Sequence, residues 1–112
     1  MLKESLAEAE EHLRKGEASK AVEIYLDIRD RTFTSDKIGC IYFNEKAIAL
    51  SNKYKLTKLL IKSFILMGTL FSNLDQEDYL LSLSFKEEAK KLFKHLGERD
   101  DLLETEILES LE

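Results

Sequence analysis

The side chains able to do acid–base, nucleophilic or metal chemistry are few and scattered. His12 and His95 lie 83 residues apart, and neither has a second His or Cys at i+3 or i+4 with which a helix could grip a metal ion. Both histidines are expected at the surface or the edge of the core. The single cysteine, Cys40, stands among Ile38, Ile41 and Phe43, so it reads as a buried small hydrophobe rather than a reactive thiol. The carboxylate pairs Glu87–Glu88 and Asp100–Asp101 are adjacent in sequence and therefore point to different parts of a helix surface instead of at one substrate atom. The sequence has no glycine-rich phosphate loop, no nucleophile elbow and no Glu-x-x-His pair of the kind that builds a di-metal bundle. No catalytic, cofactor or metal site is expected, which leaves recognition of another surface.

Composition says what such a surface is built from. The 112 residues are 44% hydrophobic and 35% charged, with four glycines and no proline, and Leu, Lys, Glu and Ala dominate. That mixture favours helix throughout and predicts an all-α fold in one domain, 1–112, large enough for a core without disulfide staples. No basic and apolar leader precedes the first amphipathic run, so a cytoplasmic location is expected, and the starting Met with a charged last helix reads as a whole protein. The net charge of −5 is unevenly spread, with −3 on residues 1–36, +5 on 37–74 and −7 on 75–112. A basic middle between acidic ends suits an acidic partner or a second copy placed end to centre; equally, long lysine stems keep an apolar stretch in solution. Nucleic acid is a poor partner for an acidic chain with few arginines and no aromatic residues set between its lysines.

Apolar periodicity predicts six helices. The first, about Lys3 to Lys15, carries Leu6, Ala9 and Leu13 and stops at Gly16, a residue that takes positive φ cheaply. The second, about Ala18 to Arg31, repeats Ala21, Ile24, Tyr25 and Ile28 at i, i+3, i+4 and i+7, and small Ala9 and Ala21 let the pair approach closely. Ser35 is the expected cap of a third helix, about Asp36 to Tyr54, whose apolar residues are Ile38, Ile41, Tyr42, Ala47, Ile48 and Leu50. The fourth, about Leu56 to Ser72, is apolar nearly all round and must be covered on every side, by its neighbours or by a second copy. It is no membrane span, because Lys58 and Lys62 interrupt an apolar run shorter than the roughly 20 residues needed. Gly68 in its middle costs about 1 kcal/mol against alanine and signals a close helix contact. Asp75 is the expected cap of the fifth helix, with Asp78 in its first turn and a stripe from Tyr79 through Phe85, Ala89 and Phe93 to Leu96, ending at Gly97. The sixth, about Arg99 to Leu111, sets Leu102, Leu103, Ile107, Leu108 and Leu111 against Asp100, Asp101, Glu104, Glu106 and Glu109.

Three of the turns echo one another. Asn52 to Leu59 aligns with Arg14 to Ala21 at an offset of 38, which puts Tyr54 on Gly16, and His95-Leu96-Gly97-Glu98 repeats the form 81 residues after the first. The Lys-Gly-Glu turn with Ala9 before it and Ala21 and Tyr25 after it resembles a tetratricopeptide repeat (TPR). The match is partial: Ser5 stands where a large residue is usual, and the proline after the second helix is missing. The same residues also resemble the first hairpin of three-helix MIT domains, and Glu87 to Glu98 is similar to the longer tetratricopeptide variants. The resemblance implies a TPR-like right-handed solenoid of about three helical hairpins. Phe64, Gly68 and Phe71 also match first-helix positions in a second register, so the phase across 36–72 stays open.

From that resemblance follows a non-catalytic adaptor or scaffold that binds a partner helix or peptide on a groove lined by the first helix of each hairpin. Lys3, Leu6, Glu10 and Leu13 would line it from the first hairpin and Ile41, Asn44, Ile48 and Ser51 from the second, although Leu6, Leu13 and Ile48 also read as core. The paired Lys and Asn with which some co-chaperone repeats of that family clamp a chaperone's terminal carboxylate are missing, so an amphipathic helix or extended peptide is the expected partner. The alternative is a self-associating structural bundle, MIT-like or of unrelated topology, with an obligate dimer core at Leu66, Leu70 and Phe71. A third reading is a small-molecule or lipid pocket beside Phe64, Met67 and Phe71.

Overall fold

The computed structural model describes residues 2–72 and 77–111, with side chains for all of them except 77 and 78. Among the described residues there are six α-helices and no strand: α1 Leu2–Arg14, α2 Ala18–Thr32, α3 Lys37–Lys53, α4 Thr57–Ser72, α5 Glu77–Lys94 and α6 Asp101–Leu111. The expected cap at Asp75 and the side chain of Asp78 lie outside the described residues. None of these helices is long and apolar enough to cross a membrane.

Two kinds of residue set the helix ends. Gly16, Lys55 and Gly97 take positive φ of 80°, 55° and 77°, each shortly after an odd-numbered helix. The reversed chain then closes back on the helix: the Glu17 amide donates to the His12 carbonyl at 2.8 Å and the Leu56 amide to the Ser51 carbonyl at 2.8 Å, satisfying carbonyls that the helix end leaves without partners. The second turn therefore falls at Lys55 and not at Tyr54. Its offset from Gly16 is 39, not 38, because α3 continues through Lys53 before the backbone reverses. At the starts, carboxylates fill the caps: Asp36 accepts from the Gly39 amide at 3.0 Å and Asp100 from the Leu103 amide at 3.0 Å. Asp36, rather than Ser35, caps α3, since its carboxylate reaches the third amide of the helix.

The left-handed residues also set which side chains go inside. Val22, Ile61 and Leu103 follow them by six positions and Leu26, Ile65 and Ile107 by ten, and all six are buried. In keeping with this shared frame, the backbone of α4 comes close to those of α2 and α6, whereas among the described residues the backbones of α1 and α3, and of α3 and α5, stay apart. The molecule is a slab of 37 × 35 × 20 Å, its short dimension matching two layers of helices about 10 Å across.

As its composition requires, α4 is the centre. Leu59 and Leu66 pack on the α1–α3 core around Tyr25 and Ile28, Ile61 and Ile65 pack with Ala89, Leu103 and Ile107, and Met67 and Leu70 pack around Cys40. Its cover comes from its own chain, and burying side chains such as Ile61 and Leu70 completely stabilises the fold by about 2–3 kcal/mol each. The contact expected at Gly68 is present. A Cβ there would lie 2.8 Å from Lys86 Cγ and 3.0 Å from the Ser82 carbonyl oxygen, and the Ser82 hydroxyl donates to the Gly68 carbonyl at 2.6 Å. The two backbones meet where the side chain is missing.

Candidate functional site

The surface most unlike an ordinary solvated helix face belongs to α3, and a polar clamp inside the molecule holds it in place. Arg29 of α2 is 5% exposed. Its Nε donates to Asn44 Oδ1 at 3.0 Å, one terminal nitrogen donates to the Leu66 carbonyl at 2.8 Å, and the other meets Asp30 at 2.8 Å. Asn44 Nδ2 donates to the Ser63 carbonyl at 2.9 Å. One buried cation thus ties α2, α3 and α4 together. A charge in that position is tolerable only because all three guanidinium nitrogens have hydrogen-bond partners and the Phe33 ring centroid lies 5.2 Å from the group.

Held this way, α3 turns Cys40, Asn44, Ala47 and Ser51 inward and leaves Ile38 83% and Tyr42 54% exposed, with Ala49 exposed further along. Its three lysines lie against rings instead of carboxylates: Lys37 Nζ is 3.8 Å from the Phe33 centroid, Lys46 Nζ 5.0 Å from Tyr25, and Lys53 Nζ 5.4 Å from Tyr54. Toward α5, half-buried Ile41 and Ile48 share one apolar cluster with Phe71 and Phe85. Phe85 is stacked between Phe71 at 5.9 Å and Phe64 at 6.0 Å. Among the described residues the backbones of α3 and α5 do not come close to each other, and this partly buried cluster lies between the two helices.

A concavity of about 350 Å³ lies between α4 and α6, where Lys62, Leu66 and Thr69 face Glu106, Glu109 and Ser110. At its end Lys58 meets Asp100 at 3.2 Å and Glu98 at 3.4 Å. The hydrogen bond to Asp100 raises the Lys58 pKa, while the Leu103 amide and then Lys58 hold Asp100 below its usual value. These shifts come from helix capping and charge pairing, and both groups stay charged near neutral pH. Elsewhere, His12 Nδ1 lies 3.0 Å from Glu17, whose carboxyl is lowered to about 2 by that hydrogen bond and by Lys20. Burial pushes the Cys40 thiol up, as suits the buried hydrophobe expected. Among the described residues no three His, Cys, Asp or Glu side chains gather as a metal site requires.

The residues singled out from sequence divide into three groups. Ile41, Ile48 and Phe71 come together in the cluster between α3 and α5. Lys3 and Glu10 are exposed on α1, whose backbone among the described residues comes close to that of α2 alone. Asn44, Ser51 and Leu70 have no accessible surface, so no partner or second copy reaches them, and Leu66 is half-buried against the core that α2 shares with α1 and α3. Asn44 is inside to hold Arg29, and Leu70 because it packs with Cys40 and Met67, against which Ile41, Ile48, Phe71 and Phe85 lie. Leu102 and Leu108 also differ from expectation: α6 buries Leu103 and Ile107 and leaves those two 73% and 54% exposed. Ile38 and Tyr42 were grouped with the core residues of α3, yet Ile38 precedes buried Ala47 by nine positions, half a turn out of phase, and this spacing is the signal that separates them. The chain matches no family model, no curated protein and no solved structure.

Proposed function

We propose that this protein is a non-catalytic docking module, a scaffold or adaptor whose α3–α5 furrow receives the apolar face of a partner helix or peptide. The observation that carries the proposal is the partly buried cluster of Ile41, Ile48, Phe71 and Phe85 between two helices whose backbones stay apart among the described residues. Anchors at helical spacing in an apolar furrow are the requirement of helix-in-groove recognition. Tetratricopeptide-like stacking is the architecture we favour for the module. Its support is the recurrence of left-handed turns 39 and 42 residues apart and the shared burial frame of α2, α4 and α6. That frame makes the even-numbered helices equivalent to one another, as both registers require. The free, buried thiol of Cys40 suits a reducing compartment such as the cytoplasm.

An obligate dimer through α4 loses its motive, since α2, α3, α5 and α6 of the same chain already cover that helix. The test is site-specific photo-cross-linking in cells, with the reactive side chain at Ile41 and, as control, at Glu23 on α2. A discrete adduct from position 41 alone, lost on Ile48→Glu while the helical circular dichroism persists, is the expected result. Equal labelling from both positions, or none from 41, overturns the furrow.

A further inference from the structure

We infer that the acidic outer face of α6 in one copy docks on the lysine-bearing face of α3 in a second copy. This contact is separate from the furrow and does not rest on it. It starts from charges left over after each helix has made its internal pairs. Lys20, Lys58 and Lys91 each meet a carboxylate within 4.0 Å. On α3, Lys46 and Lys53 are seven residues apart and so share one face with Tyr42; they meet no carboxylate among the described residues and rest on aromatic rings. Lys37, nine residues before Lys46, lies half a turn away, and Glu45 is the one carboxylate in that helix. In α6 the situation is reversed. It contains no lysine or arginine, and its exposed Glu104 and Glu109 meet no cation within 4.0 Å among the described residues, while Glu106 is turned to the α4–α6 concavity and Asp101 is held by Arg99 at 2.9 Å.

Each face also carries apolar side chains with nothing on them: Ile38 and Tyr42 on α3, Leu102 and Leu108 on α6. Cations beside apolar groups on one helix and anions beside apolar groups on the other are complementary in both respects. At 1.5 Å per residue α6 is about 16 Å long and α3 about 25 Å, so the acidic helix fits within the length of the basic one. Neither face complements itself, since α3 against α3 opposes lysines and α6 against α6 opposes carboxylates. Contact along a single helix buries little area, so the association is weak and responds to salt.

The experiment is sedimentation equilibrium of the full chain from micromolar to millimolar concentration, at low and high salt. The expected result is a mass that rises with concentration and an association constant that falls about tenfold or more in high salt. Lys46→Glu with Lys53→Glu should abolish association, as should Glu104→Lys with Glu109→Lys, and mixing the two variants should restore it. A wild-type mass that stays monomeric throughout overturns the inference without reference to any variant. So does an association that is indifferent to salt or survives both charge reversals. Circular dichroism of each variant controls for folding, and because the adduct from position 41 concerns a different surface, either result can fail alone.

Discussion

Arg29 and Asn44 meet inside the molecule, Nε to Oδ1 at 3.0 Å, and the same amide passes the link on to the Ser63 carbonyl on α4. The pair is the reason that a charged side chain only 5% exposed is compatible with folding. Asn44→Leu keeps the volume but strips the guanidinium of a partner, and should cost about 2–3 kcal/mol in urea denaturation, the range for hydrogen bonds to a charged group. Arg29→Met combined with Asn44→Leu should cost less than the two single changes added together, because the unpaired charge is gone. Additivity would mean that the two residues act independently and that α3 is held by its apolar contacts alone.

At Gly68 two effects oppose each other. Alanine would gain about 1 kcal/mol of helix propensity, but its methyl group must displace Lys86 Cγ and press on the Ser82 carbonyl. Cγ is close to the α5 backbone and cannot swing away as a lysine terminus would, so the clash should win by about 1–2 kcal/mol. A lower melting temperature for Gly68→Ala, partly recovered when Lys86→Ala is added, is the expected outcome. A stabilised Gly68→Ala would show that α4 and α5 separate easily at this point.

What could be read in advance follows from how local each cause is. Gly16, Gly97 and the all-round apolar character of α4 act over one or two helix turns, and all three are where the pattern puts them. Half of the inward stripe of α3 is legible, in Cys40 and Ala47, but Asn44 and Ser51 are polar residues that read as groove lining, while the large apolar residues Ile38 and Tyr42 point elsewhere. Only Arg29, fifteen residues earlier, makes Asn44 an interior residue, and no periodicity reports such a partnership. Lys55 was missed for a related reason: a left-handed lysine has no signature in its residue type, and tertiary packing imposes the conformation that glycine adopts freely at the other two turns.

That lysine offers a direct check on the turn. A non-glycine residue at φ 55° costs about 1 kcal/mol or more, so Lys55→Gly should raise stability by about that amount despite the freer unfolded chain. The matching change at Gly16, to alanine, should lower it by a similar amount, since its φ is 80°. Equal stabilities for Lys55→Gly and the parent, measured by urea titration, would place the strain elsewhere.

Ser51 is an interior position whose hydroxyl finds no hydrogen-bond partner among the described residues. An unmet buried hydroxyl costs about 1–3 kcal/mol, and alanine is also the better helix former, so Ser51→Ala should stabilise the protein by about 1 kcal/mol. Had Ser51 lined a partner's groove, the same change would leave stability alone and weaken binding. Thermal unfolding of the isolated chain separates these outcomes.

The acid limb of stability should show the first turn. Glu17 has its carboxyl lowered to about 2 from an ordinary 4.5, chiefly by the hydrogen bond with His12 and then by Lys20. A depressed folded-state value means that the folded protein binds fewer protons than the unfolded chain between those two points, so stability falls as pH drops from about 4.5 to about 2. Above that window the contribution is fully present. The carboxylate lies at the surface, so solvent screening keeps the effect small and salt should shrink it further. Glu17→Gln should lower stability at pH 7 slightly and flatten the slope between about pH 4.5 and 2, with the two proteins converging at the acid end. Parallel curves across the whole range would mean that His12 and Glu17 do not pair in solution and that Gly16 alone makes the turn.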